Sequence, residues 1–229
     1  MEINLTVIMP VYNEESTLRE ITARVQAVGI ASEIVIVNDG SEDSTRVILD
    51  ELGQQPGIRV IHHEKNQGKG AAVVTGIHAA SGDVLVIQDA DLEYDPQDYC
   101  KLLEPIKAGE VDVVYGSRFA DSETEKPMLM SWLANLGLTL ITNLLYRAKL
   151  TDMETCYKVF RREVVKDITI HARGFEFEPE FTAKILKKGI RIKELPITFN
   201  PRRYSEGKKI TAWDGLIAIW TLVKYRFVD

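Results

Sequence analysis

Short β-branched apolar runs alternate with helical periodicity through the first half of the chain. Leu5–Val11 is the first run, and Leu18, Ile21, Val25 and Val28 follow at the spacing that places one apolar stripe along a helix. Further runs at Ile34–Val37, Arg59–His62, Val84–Ile87 and Val111–Tyr115 predict strands, separated by helices around Val47–Leu52 and over Lys69–Ala80. This alternation predicts repeated βαβ units: an α/β fold with a Rossmann-like, mostly parallel central sheet flanked by helices.

Sheets of that kind bind ligands beyond the carboxyl ends of their strands, so the segments just after the apolar runs are where chemistry belongs. Those segments are the polar ones: Pro10-Val11-Tyr12-Asn13-Glu14-Glu15, Asn38-Asp39-Gly40-Ser41, Asn66-Gln67-Gly68-Lys69-Gly70, Asp89-Ala90-Asp91-Leu92-Glu93 and Gly116-Ser117-Arg118. No linker or internal repeat interrupts the chain, and residues 1–229 are expected to form a single domain.

The second half is less regular. Pro127–Tyr146 carries no charged side chain, but Ser131, Asn135, Thr139, Thr142 and Asn143 fall on one helical stripe. A spanning helix would bury those groups in lipid, so a helix lying on a membrane surface is expected at about residues 128–147. A second surface helix is expected at 212–228, where Trp213, Trp220 and Phe227 are interleaved with Lys224 and Arg226.

Composition changes this picture only at its edges. A net charge of −6 argues against a duplex nucleic-acid partner, since neutralising phosphates takes an excess of basic residues. Cys100 and Cys156 show neither metal-ligand spacing nor a CxxC pair, which suits a reducing cytoplasm. The opening residues enter a strand pattern with no basic region before it, so no secretory signal is expected.

Asp89-Ala90-Asp91 puts two carboxylates at the mouth of a strand. Carboxylates two apart on a turn can both face one hard cation, and Mg²⁺ or Mn²⁺ commonly takes one or two of them together with substrate phosphates, with Glu93 as a further oxygen donor. The same residues also read as a solvated acidic turn capping the helix that begins near Pro96. Asp39 can accept from a nucleobase or ribose, or can simply close a turn with Gly40. Gly68-Lys69-Gly70 can offer a backbone amide and an ammonium to phosphate, although the P-loop spacing is lacking. Arg202, Arg203, Lys208 and Lys209 form either a solvated charge run or a basic loop that closes over a diphosphate.

In order and spacing, these motifs resemble glycosyltransferase family 2, with its GT-A fold, and within it the polyprenyl-phosphate sugar transferases. The resemblance runs through VIMPVYNEE, IVNDGSEDST, NQGKGAAVVTGI, DADLEYDP and YGSRF to GFEFEPEFTAKILKKGIRIKELPITF and RRYSEGKKI, nearly the whole chain. It implies that Pro10, Tyr12, Glu14 and Asp39 line a nucleotide site that also takes in Lys69, Asp89 and Ala90. It further implies that Asp89, Asp91 and Glu93 hold the metal, that Arg118 and Arg202 contact phosphate, and that Lys208 belongs to a mobile loop. Asp91, Arg118, Arg202 and Lys208 are the residues expected to carry catalysis. Glu93 stands where the mannose synthases often carry Gln, and EGKK replaces their GxSK, which leaves glucose and mannose both open as the sugar.

The implied reaction is inverting transfer of a hexose from a UDP- or GDP-sugar to a polyprenyl phosphate such as dolichyl or undecaprenyl phosphate. A lipid phosphate is already anionic and needs no strong base, whereas a hydroxyl acceptor does. Family-2 enzymes acting on hydroxyls often carry a Glu-Asp pair in the second half, and none follows Asp112. Asp152, Glu176 and Glu178 remain candidates for a base or an acceptor contact. The expected setting is cytoplasmic, peripheral on the inner face of a membrane. Transfer to a glycan hydroxyl, and a catalytically silent nucleotide-sugar-binding module, are the competing readings.

Overall fold

The computed structural model describes residues 3–120, 129–201 and 212–228. The first half alternates as expected: β1 (Leu5–Val11), α1 (Leu18–Val28), β2 (Ala31–Asn38), α2 (Thr45–Leu52), β3 (Ile58–His62), α3 (Lys69–Ala79), β4 (Val84–Ile87), α4 (Tyr99–Lys107) and β5 (Val113–Ser117). The second half contributes α5 (Leu129–Tyr146), β6 (Lys158–Arg161), α6 (Phe177–Lys187), β7 (Ile192–Pro196) and α7 (Ala212–Phe227).

The strands join one sheet in the order β3-β2-β1-β4-β6-β5-β7. β1 pairs in parallel with β2 and β4, β2 with β3, and β5 with β7, whereas β6 runs antiparallel between β4 and β5. All strands but β6 therefore end at the same edge, and β6 begins there. The chain enters β6 from the edge where the other strands stop, which delivers residues 152–157 to that edge.

Both faces of the central strands are covered, which explains why they read as unbroken apolar runs rather than alternating ones. In β2, Ile34 and Ile36 enter the main core while Val35 and Val37 pack with Ala72 of α3. α1 buries the stripe Leu18, Ile21 and Val25 and stops at Gly29, whose φ of 71° takes the left-handed turn that closes the helix.

α5, α6 and α7 pack together around Leu138, Met153, Ala183, Ala218, Leu222 and Tyr225. Here α5 turns its polar stripe inward. Asn135, Thr139 and Thr142 are buried, while Leu133, Leu136, Leu140 and Leu144 are exposed. The stripe binds the segment before β6: Asn143 donates to the Leu150 carbonyl at 2.8 Å, Thr139 Oγ1 accepts from Met153 N at 3.1 Å, and Asn135 Oδ1 accepts from Glu154 N at 3.3 Å. α7 likewise exposes Trp213, Leu216, Trp220 and Phe227 while burying Ala218, Leu222 and Tyr225. Among the described residues no helix is long and apolar enough to cross a membrane.

α3 lies close against β1, because a Cβ on Gly76 would sit 2.3 Å from Cγ2 of the fully buried Ile8. Helix propensity favours Ala over Gly by about 1 kcal/mol in a helix interior, but overpacking a rigid β-branched side chain costs about 1–3 kcal/mol. Gly76→Ala is therefore expected to lower unfolding free energy in urea titration, and a stabilised variant would contradict this packing.

Candidate active site

At the edge where the strands end lies a cavity of about 420 Å³. Pro10, Tyr12 and Glu14 reach it from the end of β1, Asp39 from β2, Lys69 from the start of α3, and Asp89, Ala90, Asp91 and Glu93 from the end of β4. Arg118 after β5, Glu154 and Cys156 before β6, and Glu178 of α6 close the far side. The sheet order reverses between β1 and β4, and such a switch point opens a crevice between the loops that leave adjacent strands.

The loops after β1 and β2 are stapled to each other. Asn13, in the left-handed region at φ 54°, donates its N–H to Ser41 Oγ at 3.0 Å, and its Oδ1 accepts from Glu42 N at 2.8 Å. Asp39 is 2% exposed. Its carboxylate accepts from Gln67 N at 2.9 Å and Gly68 N at 2.7 Å and meets His63 Nδ1 at 2.7 Å, while His63 Nε2 reaches Thr75 Oγ1 at 2.9 Å. A carboxylate offers about four lone-pair sites. Asp39 thus builds the pocket wall from its own chain and keeps room to accept once more.

The loop before α3 commits most of its amides within the protein. The Gly70 and Ala71 amides donate to the carbonyls of Gly174 at 3.2 Å and Arg173 at 3.0 Å, and Gly68 N goes to Asp39, so these amides are not presented to a phosphate. Gly68 is required by this approach: at φ 101° its Cβ would stand 2.3 Å from the Arg173 carbonyl oxygen. The Lys69 side chain does reach the pocket. Its ammonium lies 3.0 Å from Asp89 and 3.1 Å from Glu178. Burial opposes its charge, but Asp89 and the other acidic neighbours outweigh burial and hold its pKa above the usual lysine value.

The acidic motif rests on a buried polar floor. Gln88, fully buried, accepts from Tyr157 Oη at 2.7 Å and from Tyr99 Oη, and its amide donates to the Asp89 carbonyl at 3.0 Å. The Cys156 thiol donates to Asp89 Oδ2 at 2.6 Å. Burial first, and then the negative charge of Asp89, pushes that thiol upward, so it stays protonated and serves as the donor. Asp91 Oδ1 accepts from Glu93 N at 3.0 Å, and Thr17 Oγ1 donates to the Ala90 carbonyl at 2.8 Å. Among the described residues no three His, Cys, Asp or Glu side chains converge as a ready-made metal cage. Asp89, Asp91 and Glu93 are accordingly not gathered into such a cage among the described residues. Asp89 and Asp91, two carboxylates lining the cavity, are the kind of oxygen donors a hard cation takes together with substrate oxygens.

Arg118 is held by Asp152 through two bonds of 2.7 Å, Nε to Oδ2 and a terminal nitrogen to Oδ1, while its backbone N–H adds a third at 3.0 Å. Asp152 has no exposed surface and lies outside the pocket lining, so it fixes the guanidinium instead of facing the cavity as a base. Glu176 also lies outside the lining, accepting from the Arg173 and Gly174 amides at 2.8 and 3.0 Å. Of the three acceptor candidates only Glu178 faces the cavity. Arg202 and Lys208 lie outside the described residues, but Asn200 N donates to the Glu93 carbonyl at 2.8 Å, so the chain departs toward them from beside the acidic motif.

Sequence reasoning missed four contributors. Gln88 and His63 carried a positional signal, as polar residues closing β4 and following β3, whereas Glu154 and Cys156 stood in no motif.

Comparison with known proteins agrees with this architecture. The sequence profile described as Glycosyl transferase family 2 matches residues 6–169, and the chain belongs to that family. It is 33% identical to a dolichol-phosphate mannosyltransferase of Pyrococcus furiosus, over 96% of this chain and 64% of that protein. It is 28% identical to an undecaprenyl-phosphate mannosyltransferase of Micrococcus luteus, over 96% of this chain and 97% of that one. Glucosyl-3-phosphoglycerate synthase from Mycobacterium tuberculosis, solved in complex with Mn²⁺, uridine diphosphate and phosphoglyceric acid, shares the GT-A fold at a TM-score of 0.78. Identity to that structure is 19%, over 99% of this chain and 80% of that one.

Removing Asp152 would leave the Arg118 guanidinium without its counter-charge in a largely buried setting. Breaking such a pair typically costs about 3–5 kcal/mol. Asp152→Ala is expected to lose stability on that scale in chemical denaturation, and a change below about 1 kcal/mol, the range of exposed pairs, would show that the pair is not structural.

Proposed function

We propose that the protein is an inverting hexosyltransferase that moves glucose or mannose from a UDP- or GDP-sugar to a polyprenyl phosphate at a membrane surface. The observation that carries this reading is that Asp89 and Asp91 line one strand-end cavity together with Tyr12, Glu14 and Asp39 and with the cationic Lys69 and Arg118. Tyr12, Glu14 and Asp39 line the side that would receive the nucleoside. Asp89 and Asp91, with Glu93 beside them, would hold Mg²⁺ or Mn²⁺, a role supported by the Mn²⁺ in the complex of the fold neighbour. Such an ion supplies charge neutralisation to a departing diphosphate.

The chain's own groups supply the rest. Arg118, aimed by Asp152 and flanked by the rings of Phe119 and Phe199, presents a fixed cation to a phosphate. Arg202 and Lys208 are assigned to the leaving diphosphate on the strength of the family resemblance. A phosphate oxygen of the acceptor attacks the anomeric carbon opposite the diphosphate. The new C–O bond forms as the bond to the diphosphate breaks, and the electron pair leaves with the nucleotide. An acceptor that is already anionic needs no proton removed, which fits a cavity where Glu178 is tied to Lys69 and Asp152 to Arg118.

The membrane contact is supported by α5 and α7, two neighbouring helices that turn leucines and tryptophans outward. Exposed apolar faces of this kind suit the headgroup boundary of a bilayer, where Trp is favoured. The names of the Pyrococcus and Micrococcus relatives, both polyprenyl-phosphate mannosyltransferases, point the same way.

Incubation with labelled UDP-glucose or GDP-mannose and either undecaprenyl phosphate or an oligosaccharide tests the acceptor. Label is expected in the lipid fraction, abolished by EDTA and restored by Mn²⁺ or Mg²⁺; transfer only to the oligosaccharide would overturn the acceptor assignment. Asp91→Asn is expected to reduce transfer by about 100-fold or more with an unchanged melting temperature. For the membrane face, Trp213→Ser/Trp220→Ser is expected to release the protein from co-sedimentation with anionic liposomes, and unchanged sedimentation would refute it.

A further inference from the structure

The cavity has a built feature that the mechanism above leaves unused. Glu154 lines the wall, and its Oε1 is shielded from solvent with no hydrogen-bond partner. Leaving a buried polar atom unsatisfied is costly, so such atoms commonly mark a place where something else binds. The backbone around it is tied down on both sides. Glu154 N donates to Asn135 of α5, Met153 N to Thr139, and Asp152 N to Glu194 Oε1 at 2.9 Å. The fully buried Lys158 donates to the carbonyls on either side, at 3.2 Å to Met153 and also to Thr155. The turn is thus firmly held while the Oε1 atom it presents lacks a partner, as expected of a group preorganised for a ligand.

Strand order says which part of a ligand would meet it. Along the edge the sequence of loops is β2 with Asp39, β1 with Tyr12, β4 with Asp89, then the entry to β6 with Glu154. A nucleotide sugar laid along that edge, nucleoside toward Asp39 and diphosphate at Asp89, carries its hexose beyond β4. We propose that Glu154 reads the donor sugar, its carboxyl hydrogen-bonding a hydroxyl of the hexose. This rests on the donor-binding reading given above. Burial, and next the charge of Glu178, pushes Glu154 up to about 8. At neutral pH it therefore keeps its proton, can donate as well as accept, and adds no negative charge beside the diphosphate.

The test compares binding of UDP-glucose and GDP-mannose with binding of UDP and GDP, by calorimetry with Mn²⁺ and no acceptor. In Glu154→Ala the affinity for the preferred nucleotide sugar is expected to fall about tenfold or more, the scale of one buried hydrogen bond, with that for the matching nucleoside diphosphate within about twofold. Glu154→Gln, which can still donate and accept, is expected to recover most of the loss, and both variants should melt as cooperatively as the wild type. Equal weakening of sugar-bearing and sugar-free nucleotides would overturn the proposal, as would unchanged nucleotide-sugar affinity accompanied by a raised KM for the acceptor. Wild-type protein that binds none of the four would instead sink the donor reading, a separate failure. If Glu154→Ala unfolds, the nucleotide-sugar affinity of Glu154→Gln decides against Glu154→Asp. The shortened Asp is expected to bind about tenfold more weakly than Gln, and equal affinity of the two would overturn the assignment.

Discussion

The Asp89 carboxylate, caught between the Lys69 ammonium and the Cys156 thiol, is the contact on which the site depends. It joins α3, the end of β4 and the approach to β6, three segments far apart in sequence. Lys69 stays charged although half-buried because its acidic neighbours outweigh the cost of leaving water, and Gln88, fixed by two tyrosines, holds the Asp89 backbone from beneath. A carboxylate so oriented pays little reorganisation when it meets a cation or a phosphate-bound ion, the usual advantage of a preset polar environment.

The antiparallel β6 is equally consequential. A sheet of parallel strands alone would set only strand exits at the functional edge. Inserting one reversed strand adds an entry point, and the residues on it, Glu154 and Cys156, face the loops that leave β1 and β4. The same entry segment is gripped from behind by the polar stripe of α5, which explains why that helix shows its leucines to the outside. Its hydrogen-bonding groups are committed to positioning one wall of the cavity, and its apolar surface is what remains.

The strands β1, β2 and β4 were legible because both faces of the sheet are covered there and each carries an unbroken apolar stretch, whereas the edge strand β3 keeps only a short β-branched signal around Arg59. β6 was not legible, since Lys158 opens it, and that lysine is fully buried over the Tyr115 ring, where its stem and charge are satisfied locally. α6 was not among the predicted helices, since Glu178 and Glu180 break the apolar stripe on its inward face. Both are buried, and Glu180 accepts from the His171 and Ala172 amides at 2.8 and 2.6 Å. Among site residues, those just after predicted strands were found by position, as Tyr12, Asp39 and Asp89 show. The division of labour among the acids was hidden. Whether a carboxylate faces a cavity, as Glu178 does, or neutralises an arginine, as Asp152 does, depends on tertiary neighbours that no local spacing encodes.

The long-range closure of the cavity bears on how the molecule matures. One wall comes from residues 10–94 and the opposing wall from residues 118–178, so a nascent chain that has emerged only as far as β5 displays the acidic motif with nothing across from it. Ligand recognition of the kind proposed can arise only after the later half has docked its reversed strand, and such non-local pairings are the slow ones to form. Capacity to hold a whole nucleotide sugar, hexose included, therefore depends on the later wall having docked against the earlier one.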